Sequence, residues 1–120
     1  MELNIYGYCI NDNLEFRLSP ALLVNVLNGN SIRLRKTMAR LLCFLLENHE
    51  ATIISDTAIM TEVFECHGLR CSRQRLWKAM NTLQLTLHKC GLSTNLLSRV
   101  DKCGFAFNEK NIKTLFFYSA

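Results

Sequence analysis

Leu76, Met80, Leu83 and Leu87 recur at intervals of four, three and four residues, between Ser72 and Gly91. At about 100° per residue they fall on one narrow stripe, so the segment reads as a helix that turns a single face into a core. Ser72 can accept from the unpaired N–H groups of a first helical turn, and Gly91 is placed to end the helix. The expected limits are therefore about Arg73 and Cys90.

Opposite the stripe lie Gln74, Lys78, Asn81, Leu85 and Lys89, with Arg75 and Thr82 on one flank and Trp77 and His88 on the other. No acidic residue occurs between Glu65 and Asp101. Residues 70–102 carry a balance of +6, whereas residues 1–69 carry −3. Bases gathered on one element point to a polyanionic partner, because neutralising phosphates releases counterions where the bases cluster. A solvated helix face is the plain alternative.

Upstream, the apolar period is different. Leu14, Phe16 and Leu18 alternate, Leu22 to Val26 is extended in character, and Asn28, Gly29 and Asn30 form a turn before Ser31 to Leu34. These segments predict a small antiparallel sheet over about residues 4–35. From Lys36 the spacing of Met38, Leu41, Leu42 and Leu45 is helical, fading at Asn48 and His49. Ser55 then offers an N-cap for a second short helix carrying Ile59, Met60, Val63 and Phe64. Beyond Gly91, Leu96, Leu97 and Val100 and then Phe105 to Phe107 read as two strands joined by Asp101, Lys102, Cys103 and Gly104. A hairpin directly after a basic helix has the form of a wing. The apolar cluster Phe116, Phe117, Tyr118 near the end has no evident role.

A chain of 120 residues with 49% hydrophobic content and one proline fits a single domain. Its parts are the sheet, a helical core over about 36–91, a wing over about 95–108 and a tail over 109–120. The first residues lack a basic n-region and a sustained apolar run, and Leu41 to Leu46 is too short to span a bilayer. A soluble, cytoplasmic protein without membrane contact is expected. Its six cysteines then read as reduced, small buried hydrophobes. Cys66, His67 and Cys71 lie close together, but their spacing matches no usual zinc signature. His49, His67 and His88 fall on different elements, and no nucleophile, base and orienting acid are arrayed together. Neither glycine-rich phosphate loop is present. No enzyme activity and no cofactor are expected.

The order of elements and several residues resemble the effector domain of OmpR-type winged-helix transcriptional regulators over about residues 12–108. The resemblance rests on Ser31, Ile32, Arg33 and Leu34, on Arg40, Leu41, Leu42 and Leu45, on Ile54, Ser55, Ile59, Met60, Val63 and Phe64, and on Ser72 with the Leu76 stripe. The run Ser98 to Phe105, with Lys102 before Gly104 and Phe105, is similar to the wing of the ToxR and CadC branch. Two features depart from the family: Thr82, Gln84, Leu85 and Thr86 stand where basic residues are common, and Asp101 occupies the wing. No receiver domain or transmembrane segment accompanies the resemblance.

The resemblance implies an α+β winged helix-turn-helix that regulates transcription by placing its third helix in the major groove of duplex DNA and its wing in the neighbouring minor groove. Gln74 and Asn81 would then pair with adenine, and Lys78 or Arg75 with guanine or phosphate. Thr82 flanks the same face, while Arg73, Lys89, Arg99 and Lys102 would hold the backbone. A homodimer or a neighbouring regulator is a further expectation. The stretch from Glu65 to Cys71 corresponds to a loop that contacts RNA polymerase in relatives. A protein-binding co-regulator with little DNA affinity is the other reading, motivated by Leu85, Asp101 and the aromatic tail.

Overall fold

The computed structural model describes residues 2–119. Its elements, in chain order, are β1 (Glu2–Ile10), β2 (Leu14–Arg17), β3 (Leu22–Asn25), β4 (Ser31–Arg33), α1 (Lys36–Glu47), β5 (Ile54–Ser55), α2 (starting as Asp56–Ile59), α3 (Arg73–Lys89), β6 (Leu97–Val100), β7 (Gly104–Phe107) and β8 (Ile112–Ser119). A five-stranded antiparallel sheet has the order β4-β3-β2-β1-β8, and a three-stranded sheet the order β5-β7-β6.

The alternation in β2 and β3 turns Leu14, Phe16 and Leu23 inward, because side chains at every second position share a face. They join Leu41, Leu42, Leu45 and Leu46 of α1 and the whole stripe Leu76, Met80, Leu83 and Leu87 of α3 in one buried cluster. The turn at residues 28–30 is organised by Asn25, a buried polar side chain with every group engaged. Its Oδ1 accepts from the N–H groups of Leu27 and Asn28, while its Nδ2 donates to the Cys90 carbonyl at 2.9 Å. That last bond satisfies a carbonyl left free at the end of α3, so the sheet also anchors the helix.

α2 starts where Ser55 predicts, with the Ser55 hydroxyl accepting from the Ala58 N–H at 3.0 Å. It then winds wide over Met60–Phe64, where the Glu65 N–H reaches the Met60 carbonyl, and tightens over Glu65–His67. The wide turn keeps Ile59, Val63 and Phe64 all buried.

Three findings differ from the reading of the sequence. Residues 112–119, part of the unassigned tail, form β8 and pair along β1. Gly104 begins β7 instead of making the wing turn, which Asp101 and Lys102 form with positive φ of 46° and 61°. Among the cysteines only Cys90 is buried; Cys66 and Cys103 are exposed. No helix among the described residues is long and apolar enough to cross a membrane.

Candidate nucleic-acid interface

The outer face of α3 is built by its caps. The Ser72 hydroxyl accepts from the Arg75 N–H at 3.1 Å, fixing the first turn. Gly91, with φ of 111°, lets the chain leave the last turn, and a Cβ there would fall 2.3 Å from Asn25 Nδ2. With the stripe buried, Gln74, Lys78, Asn81, Leu85 and Lys89 all face solvent. Among the described residues, none of the basic members has an acidic partner within salt-bridge distance.

Thr82 and Thr86 donate their hydroxyls to carbonyls one turn back, those of Lys78 and Thr82, both at 2.9 Å. This spends their donors within the helix and leaves a methyl group and an acceptor lone pair outward. Arg75 leaves the face sideways. Its guanidinium lies 5.4 Å from the Phe64 ring centre and donates to the Arg70 carbonyl at 2.7 Å, bracing α3 against α2.

Arg73 and Arg99 occupy a different position from the other bases. Both reach Asp56, a carboxylate only 2% exposed at the first turn of α2. Arg99 binds both of its oxygens, with Nη2 2.7 Å from Oδ2 and Nη1 on Oδ1, and Arg73 Nη1 adds a third contact at 2.7 Å. The Arg99 guanidinium is also layered against Trp77 and Phe105, at 5.2 and 4.9 Å from the ring centres. The bond donated by Arg99, more than offsetting the cost of burial, holds the Asp56 carboxyl below the usual carboxylate range, and the same bond raises the Arg99 guanidinium.

This group joins the start of α2, the start of α3 and the wing strand β6 through one side chain. The Asp56 N–H adds a backbone link by donating to the Cys103 carbonyl at 2.9 Å. Asp56 is the residue that sequence reasoning missed. Its local signal was the acid directly after a capping serine, a pattern that reads as helix-dipole compensation alone.

Trp77 packs edge-on against Phe105 of the wing, their ring centres 6.5 Å apart, which accounts for its flanking place. A cleft of about 170 Å³ runs between α3 and the wing beside Trp77, Asn81, Gln84 and Asn95. Beside it, Gln84 Nε2 is buried without a hydrogen-bond partner among the described residues. Lys102 stands at the tip of the wing turn, exposed, and Lys89 at the far end of α3. The structure thus brings Gln74, Lys78, Asn81 and Thr82 onto one outward surface, sets Lys89 at the end of α3 and Lys102 on the wing turn, and turns Arg99 inward. Cys66 and His67 sit on an exposed turn, and among the described residues no three potential metal ligands gather there or elsewhere.

No protein-family model matches the sequence, and no curated protein matches it. Among solved structures, the chain is similar to the DNA-binding domain of E. coli CadC, with a TM-score of 0.76 at 12% identity over 93% of this chain and 99% of that one. The likeness extends through the sheet, the helices and the hairpin, so that the chain has the α+β winged helix-turn-helix fold of that domain.

Proposed function

We propose that the protein is a DNA-binding transcription regulator, with α3 in the major groove and the β6–β7 wing against the adjacent minor groove. The observation that carries this reading is the outward surface of α3. It is exposed, lacks any acid and presents bases and amides beside a wing locked to it through Asp56. The likeness to the CadC DNA-binding domain supports the same mode.

Gln74 and Asn81 offer paired donors and acceptors that suit adenine, and Lys78 donates to guanine or to phosphate. The outward methyl of Thr82 and the exposed side chain of Leu85 suit thymine methyl groups, which gives the aliphatic residue a place on a polar face. Lys89, Lys102 and the free N–H groups of Arg73 and Arg75 serve the backbone. Arg99 acts by positioning, since both edges of its fork that reach Asp56 are occupied.

Binding to a random duplex pool at several salt concentrations tests the reading. Contact with four to six phosphates gives a log–log salt slope of about −4 to −5. Lys78→Ala should lower that slope by about 1 and weaken all sequences alike, whereas Asn81→Ala should relax preference at one base position. Absence of salt-dependent binding would sink the proposal and leave a protein-contact role for the same face.

A further inference from the structure

Beyond the core, β1 and β8 continue as a two-stranded ribbon on which Leu3, Ile5, Phe116 and Tyr118 are 55%, 45%, 48% and 70% exposed. Leu3 pairs with Tyr118 and Ile5 with Phe116, and directly paired residues of an antiparallel ladder share a face. That face is the one that carries the core. On β8, Phe116 and Tyr118 share parity with Ile112 and Thr114, which pair with Ile10 and Tyr8, both buried. The register shift between Ile5 and Gly7 makes Tyr6 an extra residue, and it brings the odd-numbered Leu3 and Ile5 to the side of the even-numbered Tyr8 and Ile10.

β8 is also the last strand of its sheet, and its outer edge pairs with no strand among the described residues. Open edges are normally guarded by charge, by proline or by a cover. β8 has no proline, and its one charged residue, Lys113, is already bound to Asp12 at 3.1 Å. An unguarded edge and an apolar face therefore coincide on one strand.

We infer that a second copy of this chain covers this edge, its β8 pairing antiparallel with the first about a two-fold axis at Phe116. The strand is self-complementary in that register. Leu115 meets the partner's Phe117, Thr114 meets the partner's Tyr118, and Lys113 meets the partner's Ser119, so apolar groups face one another and no like charges meet. The axis stands normal to the sheet, which puts the exposed faces of both copies on the same side as one continuous patch. Each Phe or Tyr offers about 150–250 Å². Pairing brings the half-exposed Phe116 of the two copies together at the axis and sets each Thr114 against a Tyr118, while Leu3 and Ile5, one strand in, extend the shared apolar patch.

Sedimentation equilibrium of the full chain over a range of concentrations, with hydrogen exchange followed at β8, tests the inference. The expected result is a concentration-dependent dimer in which β8 amides gain protection as dimer forms. Phe116→Asp sets two carboxylates at the axis and should raise the dissociation constant at least about tenfold. Tyr118→Lys, at the most exposed position, decides the matter if Phe116→Asp loses its circular dichroism signal. A chain that stays monomeric, a dimer indifferent to Tyr118→Lys, or a dimer whose β8 amides exchange freely overturns the inference.

Discussion

Arg99 of the wing and Asp56 of α2 form a two-toothed ion pair across 43 residues of sequence, with Nη2 and Oδ2 2.7 Å apart. Arg73 closes the group from the start of α3. A fork of this kind fixes direction as well as distance, because both N–H bonds must lie in the carboxylate plane. The wing therefore keeps a set angle to α3 before any ligand arrives.

Removing one partner strands a buried charge. Arg99→Ala should lower the unfolding free energy by about 3 kcal/mol, the low end for a broken buried pair because Arg73 remains on Asp56. Urea titration measures it, and a loss within experimental error would show that the pair does not hold the wing.

Acid should undo the same contact. Folding depresses the Asp56 carboxyl, so its contribution is complete above the ordinary Asp value of about 3.9 and is lost as pH falls through the lower folded value. Below about pH 4 the unfolded chain binds the extra proton, and stability rises with pH across that window. Asp56→Asn should flatten this acid limb in urea titrations run at successive pH values. An unchanged limb would assign acid lability to other carboxylates.

Gly104 occupies a place that no side chain fits. A Cβ there would stand 2.5 Å from Ile53 Cγ2 and 2.6 Å from the Ile54 carbonyl oxygen, where β7 crosses β5. Gly104→Ala should cost about 1–3 kcal/mol by forcing the strands apart. Thermal melting followed by circular dichroism would detect the loss, and full stability in the variant would contradict the close approach.

The cysteines should differ in reactivity. Cys43 donates to Glu47 Oε1 at 3.0 Å, and burial, aided by that bond and the nearby negative charge, pushes its thiol up to about 12. Only thiolates alkylate readily. Iodoacetamide at neutral pH should label exposed Cys66 and Cys103 first and spare Cys43, as read by peptide mass spectrometry. Early labelling of Cys43 would contradict its bond to Glu47.

What could be read in advance follows from how local each signal is. α3 was legible because its two ends and its buried face are written within a single segment, from Ser72 to Gly91. The Ser55 cap and the β6–β7 hairpin were legible for the same reason. β8 was not, since Phe116, Phe117 and Tyr118 are consecutive and show no alternation, and their partners lie at the other end of the chain. The role of Arg99 was hidden as well. A base on a wing looks the same in sequence whether it faces phosphate or a carboxylate, and here the deciding acid is remote. The two-residue strand β5 is defined wholly by its pairing with β7.

The extra residue in β1 has an evolutionary consequence. A ladder that paired Tyr6 in strict alternation would send Leu3 and Ile5 to the side opposite Phe116 and Tyr118, whereas loss of the Tyr6 codon would leave a regular ladder with both still beside them, because Tyr6 is the unpaired residue. At this point of β1 the backbone accommodates a one-residue insertion with no substitution and no reversal of the side chains beyond it.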